Sequence, residues 1–430
     1  MEYENIEDVE RLEDYRPGGY HPINIGDELH GRYQVVHKLG YGAYSTTWLA
    51  RDQQLQRYVA VKVGTSDSNP QEIDVLSALT GTRQTPVGSP GKALILPLFD
   101  KFRIKGPNGV HPCHVTAPAR SSLSGAKEGS YTRLFQLDVS RALAAQLAIA
   151  IAYTHAQGYV HGGESHCSAL LRGTTFSPAH LDLHIGNVLF RLPLGLDHLS
   201  VEQIYKKYGK PDLESVVRLD GRSLPPSVPS HSITPIWLGE PSEEVTLTGA
   251  KILLADWGEA FAPSQHLRRE SHTPLSIRPP EARFEPSTPL SFSSDIWTLA
   301  CSIWAILGQK PLFDGFLATQ DDITCEQVDA LGILPPEWWQ NWEARLNRFT
   351  EAGSPIKKRL IRSLEDRFET GVQRPRRREG MVSFELEERD AILAMLRSML
   401  AFRPENRLTS NEVLKSEWMR KWAIPEYEKL

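Results

Sequence analysis

The sequence predicts an α+β chain in two lobes: a small, mainly antiparallel β lobe with one helix, then a larger, mainly α-helical lobe. Three observations carry this. From Arg32 the apolar residues alternate in short runs broken by glycine, the period-2 pattern of strands. One helical stripe, Ile73, Leu76 and Leu79, interrupts those runs. Beyond Phe135 the apolar segments turn helical, as in Phe135 to Gln157 and Ser293 to Trp304.

Composition bounds what these lobes can be. With 430 residues, 40% hydrophobic and 23% charged, the chain can bury a large core and divide into two or three lobes. A net charge of −5 gives no global basic surface, so bulk attraction to nucleic acid or anionic membrane is not expected. The four cysteines are scattered without CxxC spacing, which fits a reducing compartment and offers no disulfide or zinc signature. The stretch Met1 to Arg11 lacks an apolar h-region and no run of eighteen apolar residues occurs, so the expected location is cytoplasmic, nuclear or both.

Taken in order, Met1 to Asp14 is a charged lead-in. Tyr15 to Pro22 is turn chemistry that ties it to the first strand or serves as linker. Tyr33 to Leu39, Thr46 to Ala50 and Tyr58 to Val63 read as strands, with a glycine turn at Gly40-Tyr-Gly42-Ala-Tyr-Ser45. A lone glycine turn is weak, and Ser45 stands where a third glycine is usual. The signal strengthens because Lys62 follows seventeen residues after Ser45, and a phosphate-covering hairpin needs a cation on the adjacent strand. In the helix Gln71 to Leu79, Glu72 is placed to reach back to Lys62 or to serve as a first-turn carboxylate. Leu94 to Phe102 and His111 to Thr116 complete the sheet, and Ala117-Pro-Ala119 is a connector whose backbone could meet a purine base.

The chemistry centres on His180-Leu-Asp182-Leu-His184-Ile-Gly-Asn187, which sets an acid five residues before an amide and runs into an apolar strand. That spacing suits phosphoryl transfer, with a carboxylate to orient the attacking hydroxyl and a downstream amide oxygen to hold a metal. Ala250 to Glu259 is a second buried strand ending in Asp256-Trp-Gly, a carboxylate well placed for magnesium. Val160-His161-Gly162 looks like the lead into the acid-bearing loop, yet Asp182 comes twenty-one residues after His161. Gly163-Glu-Ser165 can be encoded with a splice-donor-like GTGAGT and Leu181-Asp182 with an acceptor-like TAG. Removing the nineteen codons from Gly163 to Leu181 leaves Val-His-Gly-Asp-Leu-His-Ile-Gly-Asn in frame. A retained intron is one reading of the segment and an exposed loop the other. In the second, His180 takes the local role of His161.

Gly40, Gly42, Lys62, Glu72, Asp182, Asn187, Asp256, Pro-Pro-Glu281, Asp295 and Arg407 form an ordered series that resembles the eukaryotic protein kinases from about Arg32 to Trp422. Tyr15 to Asp27, running into Gly31 to Leu49, looks like the SR-protein kinases, especially their divergent fungal relatives. Those enzymes phosphorylate serines in arginine/serine repeats of splicing factors. The resemblance implies a bilobal kinase-like fold: an N-terminal extension over 1–31, an ATP-binding N-lobe over 32–119 and a C-lobe over 120–430 with insertions near 163–181 and 191–249. It implies ATP and magnesium as cofactors. Leu39, Gly40, Gly42, Ser45, Ala60, Lys62, Ala117 and Ala119 would bind the nucleotide, and Asn187 and Asp256 the metal. Asp182, Lys62, Glu72 and His184 would carry the chemistry, and Glu281, Asp295 and Arg407 would brace the larger lobe. The implied partner is an arginine/serine-rich protein substrate, with no direct nucleic acid, no membrane and a monomeric enzyme.

Departures from the pattern matter. His184 stands where protein kinases carry a lysine, which implies slower or more pH-dependent catalysis. Asp-Leu-His-x-Gly-Asn is also the wording of aminoglycoside and choline kinases, the alternative activity, and a translated insert would favour a pseudokinase acting as a binding module. Asp314, Asp321, Asp322 and Glu326 could greet an arginine-rich substrate or line a solvated loop. Arg374 to Arg378 could be a nuclear signal or a solvated basic run.

Overall fold

The computed structural model describes residues 2–81, 90–162, 184–192, 195–356 and 361–430. Asp182, His180, the segment 163–181 and the His184 side chain lie outside the described residues. The chain divides into two compact units. The first joins Met1–Arg83, Leu96–Ser121 and Arg191–Gly239, and the second joins Gln84–Ile95, Ser122–Phe190 and Glu240–Leu430.

The first unit is built on one antiparallel sheet of β1 (Glu28–Leu29), β2 (Tyr33–Gly42), β3 (Ser45–Asp52), β4 (Arg57–Gly64), β5 (Leu98–Gly106) and β6 (Gly109–Thr116) in the order β1-β2-β3-β4-β6-β5. Both faces of its strands β2, β3 and β4 are covered. Val35, Trp48, Val59, Val61 and Val115 point into one cluster, while Val36, Leu49 and Tyr58 pack against Leu196 and Ile204 on the other side. The second cluster places the insertion. Arg191–Gly239 belongs to the β unit, not to the helical lobe expected from its position in the chain. Its helix, Val201–Tyr208, is started by a Ser200/Gln203 capping box. The Asp197 carboxylate accepts from the Tyr58 amide at 2.6 Å, and the Tyr205 hydroxyl donates to the Val36 carbonyl at 2.9 Å.

The N-terminal extension is structural rather than a linker. Tyr3, Leu12, Tyr15 and Tyr20 form a buried cluster with Val216 and Val228 of the insertion, and Tyr3 forms a β-bridge with Arg218. Within it Glu10 is ion-paired with Lys38 of β2, and both side chains are at least 96% buried. Burial pulls the Lys38 ammonium below its ordinary pKa, and Glu10 opposes that shift.

The second unit is mainly helical. Helices Leu137–Ala156 and Phe292–Leu307 run through its core, the latter opened by a Ser291/Ser294 capping box. A short antiparallel pair, Val188–Arg191 with Ile252–Leu254, is knitted to the first helix by Gln146. Its amide donates to the Ala250 carbonyl at 2.7 Å and accepts from the Ile252 amide at 3.1 Å. Arg376, in the basic run Arg374 to Arg378, is fully buried. It donates to Ser140 Oγ and the Leu307 carbonyl, both at 3.1 Å, so this run does not present itself whole to solvent.

Candidate active site

The first unit carries the hairpin and the cation. β2 and β3 meet with Gly42 opposite Ser45, leaving Ala43 and Tyr44 as the turn. Gly40 does not have a positive φ, and among the described residues no atom beyond its chain neighbours lies within 4 Å of where a Cβ would stand. Neither turn geometry nor packing requires glycine there, so its effect is to leave a bare stretch of backbone. Alternation puts Ala60 and Lys62 on one face of β4. Lys62 Nζ donates to Glu72 Oε2 at 2.7 Å, from the first turn of α1 (Gln71–Thr80). His114, directly across from Lys62 on β6, approaches the other Glu72 oxygen at 4.0 Å. Among the other expected nucleotide residues, Ala60 is buried. Leu39 is half-buried against the insertion's apolar cluster, Ala117 follows β6 half-buried, and Ala119, also half-buried, opens the short strand Ala119–Ser122.

The second unit carries the metal donors. Asn187 immediately precedes one strand of the short pair and Asp256 closely follows the other. Val188 pairs with Leu254, and the Ala255 amide donates to the Asn187 carbonyl at 2.9 Å, so both donors sit at the same end of the ladder. Asp256 adopts φ 63°, left-handed backbone that a non-glycine residue rarely holds. His161 supports this turn. Its Nε2 donates to the Ala255 carbonyl at 3.1 Å, and its ring meets Trp257 edge-on at 4.7 Å between centroids.

Asp295, in the first turn of helix Phe292–Leu307, organises the approach to the acid loop. Its carboxylate accepts from the His161 amide at 2.7 Å, the Gly162 amide at 3.1 Å and His155 Nε2 at 3.0 Å. Burial pushes the Asp295 carboxyl up, but these hydrogen bonds and the facing histidines outweigh it and hold the pKa below its usual value. Gly162 must be glycine: its φ is 78°, and a Cβ would stand 2.5 Å from the Glu259 carbonyl oxygen. The sequence left open whether His161 or His180 supports the loop; His161 makes the contacts above, and His180 lies outside the described residues. Further out, Arg407 grips Glu281 through two parallel bonds of 2.8 and 2.5 Å, with both side chains buried.

The acidic residues considered for greeting a substrate are already engaged. Asp321 pairs with Arg283, Asp322 with Arg348 and Glu326 with Arg367, while Asp314 accepts from the Phe316 amide. Asp321, Asp322 and Glu326 serve as internal partners for arginines brought from distant sequence.

An antiparallel sheet bearing a lysine–glutamate pair beside a glycine hairpin, and a helical unit bearing the amide and carboxylate donors, are the two lobes of a protein kinase. No protein-family model matches the chain. Relatives do. Protein kinase dsk1 of Schizosaccharomyces pombe is 26% identical over 482 aligned positions, covering 97% of this chain and 86% of that protein. A serine/threonine protein kinase of Aspergillus fumigatus is 26% identical across 95% of this chain and 90% of its own length. Human SRSF protein kinase 3 is 46% identical over a shorter stretch of 111 residues, 25% of this chain and 20% of that protein. These likenesses support a serine/threonine protein kinase similar to the SR-protein kinases, and do not favour the aminoglycoside- or choline-type alternative. Kinship of this kind implies ATP and, typically, magnesium.

Proposed function

We propose that the chain transfers the γ-phosphate of ATP to serines of arginine/serine-rich proteins linked to RNA splicing. The observation that carries the phosphotransfer part is the 2.7 Å Lys62–Glu72 pair on the strand next to the glycine hairpin, a cation held where phosphates need one. In this reading Gly40, Gly42 and Ser45 cover the phosphates, with Leu39 and Ala60 lining the base. The backbone at Ala117 and Ala119 meets the adenine. Lys62 binds the phosphates and Asp182 orients the serine hydroxyl. Asn187 and Asp256 would hold magnesium, since an amide oxygen and a carboxylate at one end of a strand pair are hard donors of the type this ion takes. When bound, the ion neutralises charge on the phosphates. His184 takes the role usually given to lysine. The arginine/serine preference rests on the SRSF kinase likeness, and the enzyme works as a monomer on protein, without direct nucleic-acid or membrane contact.

The test is transfer from γ-labelled ATP to a peptide of arginine/serine repeats, beside choline, an aminoglycoside and the same peptide with its arginines replaced by alanine. Label on serine of the repeat peptide alone is the expected result. Label on choline or the aminoglycoside instead, or equal label on both peptides, overturns the substrate assignment.

A further inference from the structure

One side chain from the N-terminal extension reaches the tip of the glycine hairpin. The Tyr20 hydroxyl donates to the Gly42 carbonyl at 2.7 Å, with the Ala43 carbonyl at 3.3 Å. These carbonyls belong to the last residue of β2 and the first of the turn.

The placement is enforced by the surroundings of Tyr20. Asn108, at the turn between β5 and β6, donates from its side-chain amide to the Tyr20 carbonyl at 2.7 Å. The Ser66 and Asp67 amides, in the loop after β4, donate to the Gly19 and Gly18 carbonyls at 3.1 and 2.9 Å. Gly19 has no room for a side chain, since a Cβ would stand 1.9 Å from the Asp14 carbonyl oxygen. The Tyr20 ring packs on Tyr15, 5.5 Å between centroids, and the Tyr15 hydroxyl donates to Glu10. Glu10 pairs with Lys38, whose ammonium lies 5.3 Å from the Tyr41 ring centre. The extension therefore touches β2 at Lys38 and the hairpin at its tip. Burial raises the Tyr20 phenol well above its ordinary pKa, so the hydroxyl remains a donor at every working pH.

A two-residue turn beside glycines has many conformations to lose when a ligand fixes it. An anchor already in place pays part of that ordering cost before the ligand arrives. We propose that Tyr20 is a positioning residue for the nucleotide, holding the glycine hairpin in its phosphate-covering form through the Gly42 carbonyl. This rests on the hairpin being the phosphate cover.

The experiment compares the full chain with Tyr20→Phe, which keeps the ring and deletes only the hydroxyl. A fluorescent ATP analogue measures affinity, hydrogen exchange measures protection over Gly40 to Thr46 without nucleotide, and a thermal melt reports folding. One lost hydrogen bond of ordinary strength predicts a Kd and an ATP KM raised roughly three- to tenfold. Exchange over the hairpin quickens, while kcat at saturating ATP and the melting temperature stay close to wild type. Should Tyr20→Phe not fold, Tyr20→Trp, which retains ring burial and removes the same donor geometry, is read the same way. If the wild type binds the analogue and the folded variant binds it equally tightly, the role of Tyr20 is refuted. If the wild type itself fails to bind, the phosphate-cover reading falls and this proposal with it.

Discussion

Glu10→Gln tests whether the N-terminal extension is part of the fold. The substitution keeps the shape of the side chain and removes its charge, stranding Lys38, of which only 1% of the side chain is exposed. Losing one partner of a buried pair costs about 3–5 kcal/mol. Lys38 has one escape, to shed its proton. From an ordinary pKa of 10.5, neutralising a lysine costs about 5 kcal/mol at pH 7 and about 2 kcal/mol at pH 9. The penalty is therefore capped, and the cap falls with pH. In the folded variant the amine titrates far below its unfolded value, so between those values the unfolded state binds more protons and stability rises with pH. Urea unfolding followed by tryptophan fluorescence should show Glu10→Gln destabilised by about 3–5 kcal/mol at pH 7, shrinking toward about 2 kcal/mol at pH 9. A penalty below about 1 kcal/mol at pH 7, the range of an exposed pair, would refute the reasoning. So would a large penalty that ignores pH.

The buried Glu281–Arg407 pair makes a parallel prediction: Arg407→Met or Glu281→Gln alone should each cost about 3–5 kcal/mol, and Glu281→Leu with Arg407→Met together should cost less than the sum, by denaturant titration. Lys127 is buried under the carbonyls of Ala305 and Gly308, and burial, with Arg133 and Arg376 nearby, pushes its pKa down to about 7. Below pH 7 both states carry the proton. Between about 7 and the unfolded value of 10.5 only the unfolded state does, so stability should climb through that window by on the order of 4–5 kcal/mol. Melting curves of Lys127→Met should lack that climb. His161→Leu removes the donor that holds the Ala255 carbonyl, and a shift of the Asp256 turn by about 1 Å should lower kcat by about a hundredfold with the nucleotide Kd little changed. A kcat near wild type would show that the turn holds itself.

Regular elements and near-range pairs were legible in the sequence, and long-range placement was not. Strand alternation located β2, β3 and β4, and helix spacing put Glu72 within reach of Lys62, because both signals lie within a few residues of chain. Glu281 and Arg407 could be read as a pair only through the kinase resemblance, since 126 positions separate them. The extension was read as a lead-in because Tyr3, Tyr15 and Tyr20 follow no period; each finds its own niche in irregular backbone. The docking face for the helix Val201–Tyr208, made of Val36, Leu49 and Tyr58, reads as ordinary strand residues. Residues 321, 322 and 326 looked like a free acidic patch because their arginine partners lie 26 to 41 residues away in the chain. The contacts of His161 with Asp295 and Ala255 are ones that no local pattern announces.

The most direct test of the central claim is γ-phosphate transfer to the arginine/serine peptide by wild type and Asp182→Asn, with binding of an ATP analogue measured in parallel. The account predicts transfer by the wild type and a loss of about a hundredfold to ten-thousandfold in the variant, with analogue affinity retained. Equal transfer by both proteins would contradict it, because the acid assigned to orient the attacking hydroxyl would then not be doing so.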